Sequence, residues 1–309
     1  MTFTPIILAS ASVLLALGGL LMLPLFVRRQ RLLINVYFTI TAVSSLLACI
    51  AGAWTVGTGN IESYIVLLGL PDLPFHIRLD PLSGFFLTVT GLLVFFVSIY
   101  SIGYVKGFIG HRPVTSLIVF YCLFIAGMFM VILADDAFFF LISWEVMAAA
   151  SYFLVMFEDE KIENRRAAFI YLLIAHVGAI AILLSFGVMA GLATGFESFN
   201  GYTFDSMRET QFSPGWATAA FFLAFFGFAA KAGMIPLHIW LPEAHPVAPS
   251  NVSALMSGVM LKTAIYGIIR VTFDFIKVFP WWWGAIVLVL GLITAIMGIL
   301  YAVMQQDIK

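Results

Sequence analysis

Between Phe221 and Arg270 the chain carries two strongly apolar runs, each with one lysine near its middle, Lys231 in the first and Lys262 in the second. An ammonium group at the centre of a membrane helix costs roughly 2.5–3.5 kcal/mol on insertion scales. A chain that places two of them there has a use for them. Pro236 interrupts the first run five residues after its lysine. It cannot donate a backbone hydrogen bond and clashes with the carbonyl four residues earlier, so the helix must break. Broken backbone at membrane depth is tolerated only where protein or a water-filled cavity covers it. With 62% hydrophobic and 10% charged residues, against about 45–50% and about 25% in a soluble domain, the chain is predicted to be an all-α polytopic membrane protein.

A helix needs about 20 apolar residues to cross the bilayer core. Nine such runs are present: 6–27, 32–57, 81–103, 114–133, 137–157, 166–192, 216–240, 250–273 and 281–304. The first is too long for a signal-peptide core and has no small-residue cleavage site, so it reads as a retained span. Arg28, Arg29, Arg31, Lys106, Arg112, Lys161, Arg165, Arg166 and Lys309 fall on one side of these spans, and Arg78, Arg208 and Lys277 on the other, with Arg270 near the end of the eighth. That imbalance places the N-terminus outside and the C-terminus in the cytoplasm, as expected of a multi-pass protein of the inner membrane. In the outer loop 58–80, Pro71-Asp72 marks a turn and Phe75 to Leu79 alternates with period two, so a small hairpin is expected. Phe204 to Gln211 reads as a short surface helix. Trp281, Trp282 and Trp283 open the ninth span where an aromatic belt would sit. Cys49 and Cys122 lie inside apolar runs and build neither a disulfide framework nor a metal site. No iron–sulfur, haem, dinucleotide or P-loop pattern is present. No cofactor or metal is therefore expected in this chain, and any redox chemistry belongs to other subunits. A net charge of −1 gives no reason to expect nucleic acid.

Glu145 lies near the centre of the fifth span, with Ala148 and Ala149 on its helix face; small residues there let another helix approach. A carboxylate in hydrocarbon must be paired, hydrated or protonated, so Glu145 reads as a proton-binding group or counter-ion of a buried lysine, against a purely structural ion pair. Lys231 stands beside the break at Pro236. Approach of a carboxylate favours its charged form and withdrawal favours proton release, which makes a switch. Lys262 is some ten residues from either end of its span, which argues against snorkelling. His176 in the sixth span and His238 just past the break could relay protons; a hydrogen-bonded packing histidine is the competing reading. His245 and Glu243 read as structural. Asp135-Asp136, between spans four and five, reads as a solvated helix cap, and residues 158–166, EDEKIENRR, as a topology anchor or docking surface.

These residues resemble the antiporter-like membrane subunits shared by respiratory complex I, Mrp cation/proton antiporters and membrane-bound hydrogenases. The likeness rests on Leu79-Asp80-Pro81-Leu82-Ser83, on Ser143-Trp144-Glu145 and on Arg165-Arg166-Ala167. It continues through the segment from Lys231 to Pro242, KAGMIPLHIWLP, residues 248–255, and Leu261-Lys262-Thr263-Ala264. Ala175-His176-Val177-Gly178 and residues 246–251 look most like the large membrane subunit (component B) of hydrogenase-4 and formate hydrogenlyase. The resemblance implies two inverted five-helix repeats, with a glutamate of the fifth helix, here Glu145, paired with a lysine of the broken seventh, here Lys231. A lysine on the eighth, here Lys262, passes protons onward. It divides the chain into a three-helix segment with the hairpin loop (1–112), a first repeat (113–275) and the start of a second (276–309), where the sequence ends, as in an N-terminal fragment or half of a split subunit. The implied function is proton (or Na⁺) translocation by a non-redox subunit of a hydrogenase-4, formate hydrogenlyase or complex I-like oxidoreductase. Its partners would be other membrane subunits, peripheral redox subunits, the bilayer and the second half of the fold. A standalone Mrp-type antiporter subunit and an inactive scaffold are the alternatives.

Overall fold

Lipid offers backbone amides no hydrogen-bond partner, so each apolar run closes its own bonds as a helix. The structure, a computed structural model, describes residues 4–195, 200–277 and 279–305. Lys309 and residues 306–309, used above for topology and for the second repeat, lie outside the described residues. The helices are α1 (Pro5–Leu21), α2 (Gln30–Thr58), α3 (Pro81–Tyr104), α4 (Val114–Leu133), α5 (Ala137–Val155), α6 (Ile162–Ala193), α7 (Pro214–Ala232), α8 (Ser250–Ile276) and α9 (Trp281–Met304). Among the described residues eight are long and apolar enough to cross a membrane, counting α7 together with the chain that continues it to Val247. The first forms a helix of 17 residues, at the short edge of the spanning range.

Local chemistry sets the boundaries. Asp80 caps α3 in a reciprocal box: the Ser83 amide donates to its carboxylate at 2.9 Å and its own amide donates to the Ser83 hydroxyl at 2.8 Å, a standard N-terminal device, and Pro81 follows at the first helical turn. Asp136 caps α5 by accepting from the Phe139 amide at 2.6 Å. The predicted hairpin exists as β1 (Glu62–Leu70) and β2 (Leu73–Leu79), antiparallel, with Glu62 opposite Leu79. The predicted surface helix is Phe204–Glu209, although Phe204 and Met207 turn inward and are buried.

Alpha-helix α4 is the most enclosed of the bundle. Around it, α2 packs on α3, α5 on α4, and α6 on α7. The last crossing depends on two glycines. A Cβ on Gly227 would meet the Gly178 carbonyl oxygen at 2.5 Å, and one on Gly178 would meet the Gly227 oxygen at 2.9 Å. Small residues at such a crossing let backbones touch. Gly227→Val is expected to lower stability by about 1–3 kcal/mol, as overpacking does, read as a fall in the melting temperature of the purified protein in detergent.

The aspartates between α4 and α5 correct the sequence reading. They cap the helix but are not solvated: Asp135 is 3% and Asp136 0% exposed. The hairpin folds over them, with the His76 amide donating to Asp136 at 2.6 Å and the Asp135 amide to the His76 carbonyl at 2.9 Å. Burial pushes both carboxyls up. At this hairpin end a lattice of charges closes the bundle. Arg270 holds Asp80 through both guanidinium nitrogens at 2.6 Å, and Asp274 bridges Arg270 at 3.0 Å and Arg208 at 2.9 Å. Arg208 also pairs with Asp135 at 2.7 Å and Asp205 at 2.6 Å.

Candidate functional site

Pro236 breaks the seventh span as its chemistry requires. Helix α7 stops at Ala232, Gly233 takes the left-handed conformation (φ 74°) that favours glycine, and the chain resumes as a short helix, Trp240–Val247. The Ile235–Pro236 peptide is cis. Trp240, wholly buried, ties the two pieces together by donating its indole N–H to the Ala230 carbonyl at 2.8 Å.

One turn before the break, Lys231 is 2% exposed. Its ammonium donates to the Tyr171 hydroxyl and lies 4.6 Å from the centre of the Tyr171 ring. Tyr171, on α6, shares a hydrogen bond of 2.5 Å with Ser151 of α5 and packs against Trp240. The amine is thus held by Tyr171 alone, through its hydroxyl and its ring, and Ser151 and Trp240 hold Tyr171 in turn. Sequence reasoning missed Tyr171, Ser151 and Trp240. Their one signal was position: Tyr171 precedes His176 by five residues on α6 and Ser151 follows Glu145 by six on α5, so the antiparallel pair α5/α6 carries two polar rungs about 8 Å apart at 1.5 Å per residue.

The second rung is Glu145 and His176, 3.4 Å apart and each about half exposed. His176 Nδ1 lies 3.0 Å from the Leu172 carbonyl. A carbonyl only accepts, so Nδ1 carries a proton and Nε2 faces Glu145. At that separation a proton on either group can be shared with the other. Glu145 and Lys231 form no direct ion pair, but both Lys231 and Tyr171 lie within electrostatic reach of Glu145.

The remaining predicted residues sit elsewhere. Helix α8 widens to π-helical turns at Met256–Met260 and Arg270–Ile276, which frequently mark functional sites. Lys262 follows the first of these turns, is exposed, and folds back to donate to the Ser257 carbonyl at 2.6 Å. Ser257 and His238 line a groove of about 990 Å³ between the break, α8 and α9, which also receives Glu243, His245 and Tyr301. His238 Nδ1 is buried without a hydrogen-bond partner, and its ring lies 5.7 Å from that of Tyr301. His245 is buried and bonds Ser253 at 3.1 Å. The structure therefore brings Glu145 to His176 and encloses Lys231 next to them. It leaves His238 and Lys262 on the groove side of the break.

Comparison with known proteins covers most of this architecture. The profile of a family described as NADH:quinone oxidoreductase/Mrp antiporter, TM, matches residues 134–309. Hydrogenase-4 component B of Escherichia coli (strain K12) is 44% identical over 235 residues, which are 75% of this chain and 34% of that protein. NADH-quinone oxidoreductase subunit M of Pseudomonas aeruginosa is 28% identical over 291 residues, 87% of this chain and 56% of that one. Among solved structures, the Mrp complex from Dietzia sp. aligns with a TM-score of 0.69 at 26% identity, covering 90% of this chain and 50% of the matched one. The chain spans about a third to just over half the length of these relatives.

Proposed function

This chain belongs to the NADH:quinone oxidoreductase/Mrp antiporter membrane family, and from that premise we propose that it carries protons through the middle of the bilayer as a non-redox subunit. Its host would be a hydrogenase-4, formate hydrogenlyase or complex I-like assembly. The observation that carries the reading is the buried Lys231 amine, bonded to the Tyr171 hydroxyl at a helix break and close to an acid–histidine pair 3.4 Å apart. In the proposed cycle, a proton on the Glu145/His176 pair removes the carboxylate field from Lys231, and the amine gives up its proton. Its return to the charged form follows when the pair empties. The break supplies the route: His238 in the groove and Lys262, bonded to the groove-lining Ser257, take the proton on from Lys231. In this reading residues 113–275 are the first repeat, 276–309 open a second, and the hairpin end faces outward from the inner membrane. The likeness to the Mrp structure keeps a cation/proton antiporter as the second reading.

Glu145→Gln keeps the shape of the pair and removes the carboxylate that would bind the proton. In the complete assembly in proteoliposomes it is expected to slow proton uptake by roughly 10²-fold, the lower end for a positioned proton-transfer group, with assembly intact. Proton uptake at the parental rate would overturn the reading. A rate that requires Na⁺ in both parent and variant would select the antiporter.

A further inference from the structure

Helices α7 and α9 touch at two points and part between them. At the hairpin end Trp283 stacks on Phe221, with ring centres 4.2 Å apart, and Trp282 on Phe222 at 5.8 Å. At the break the Ile235 amide donates to the Thr294 hydroxyl of α9 at 3.2 Å. Between these ties lies a cleft of about 710 Å³, walled by Phe222, Leu223, Phe226, Ile286 and Leu290 and reaching Pro236. Every one of those walls is hydrocarbon. Water there would find no partner, and a void would forfeit the contacts that hold two helices together in lipid.

A second cavity, of about 920 Å³, stands above the first at the hairpin end. Trp282 lines the upper cavity and stacks on Phe222, which lines the lower, so the two follow one seam. The upper wall has a different chemistry. It carries Lys277 and Glu209, both exposed and not paired with each other, together with Thr210 and Gln211. The Lys277 amine donates to the Arg208 carbonyl at 2.7 Å. Arg208 lines the same wall, but its guanidinium is occupied by three aspartates. The tryptophans place this cavity at the depth where headgroups meet hydrocarbon.

We propose that the α7–α9 seam binds one zwitterionic aminophospholipid. Its phosphate lies at Lys277, its ammonium at Glu209, and one acyl chain runs down the apolar cleft to the break at Pro236. One cation and one anion on the same wall match a headgroup that carries both signs. A headgroup of net negative charge would bring its excess charge against Glu209. The chain tip then packs against Ile235–Leu237, beside the segment on which Lys231 depends.

The test uses the full-length protein, purified from native membranes and washed exhaustively with detergent. Native mass spectrometry is expected to show one retained phosphatidylethanolamine per chain, and Ala219→Trp, which fills the cleft, is expected to lose it. In nanodiscs of mixed phosphatidylethanolamine and phosphatidylglycerol, Glu209→Gln, a surface change that leaves the bundle intact, is expected to shift the bound lipid toward phosphatidylglycerol. A photo-crosslinking residue at Leu223 is expected to capture lipid. Capture of polypeptide at that position, absence of any retained lipid, or a headgroup composition equal to the bulk bilayer would each overturn the proposal.

Discussion

Replacing Lys231 with methionine is expected to abolish proton translocation by the complete assembly while leaving its stability unchanged or raising it. The two halves of that expectation come from the same geometry. The Lys231 ammonium is buried and donates to Tyr171, which is bonded in turn to Ser151. Taking an ammonium out of water costs several kcal/mol even when it is hydrogen-bonded, and with no direct ion pair to break, its exchange for an apolar residue of similar length removes that cost. Tyr171 and Ser151 keep each other as partners in the variant, so no polar group is orphaned. A lysine kept for packing or anchoring would show the opposite pattern, with a fall in melting temperature and activity retained. Lys231→Arg sharpens the comparison, because a guanidinium keeps the charge and does not release its proton. Translocation in proteoliposomes, measured beside the melting temperature, separates these cases. A methionine variant that still pumps at the parental rate would remove Lys231 from the route.

Which parts of this arrangement could be read from the chain follows from the physics of each. Run length gave the spans, because hydrocarbon leaves the backbone one solution. The alternation from Phe75 to Leu79 gave the hairpin, and Pro236 gave the break. Glu145, Lys231 and Lys262 stood out because charge is rare in apolar runs. Tyr171, Ser151 and Trp240 did not, since a tyrosine, a serine or a tryptophan in such a run reads as ordinary packing; their role comes from contacts between α5, α6 and the far side of the break. The direct pairing expected of Glu145 and Lys231 came from the resemblance, and the sequence had no means of placing His176 nearer to the carboxylate than Lys231 is. The Asp135-Asp136 reading failed for a related reason. Two adjacent aspartates after an apolar run look solvated until the hairpin, some 60 residues earlier, folds over them.

Arg270→Met is expected to cost about 3–5 kcal/mol, the usual consequence of removing one partner from a buried ion pair. Arg270 and Asp80 are both under 10% exposed and joined through two hydrogen bonds of 2.6 Å. Burial opposes ionisation of Asp80, but Arg270 overcomes it and holds the carboxyl well below the usual carboxylate range. A carboxyl depressed in the folded state contributes stability that is present above its unfolded pKa of about 3.9 and lost as pH falls through the folded value. The parent should therefore keep this contribution through mildly acid conditions. Without Arg270 only the Ser83 hydrogen bonds and Arg78, 3.5 Å away, oppose the desolvation, which is the largest influence on this carboxyl, so the sign is expected to reverse: the variant should gain stability as pH falls toward 5, because protonation then relieves a buried charge. Asp80→Asn retains an N-cap for α3 and removes that charge, so the Arg270→Met/Asp80→Asn double variant should recover most of the loss and lose the inverted pH slope. Melting temperatures of the four proteins between pH 5 and pH 8 check both points. Additive losses with parental slopes would mean that the pair does not hold this end of the bundle shut.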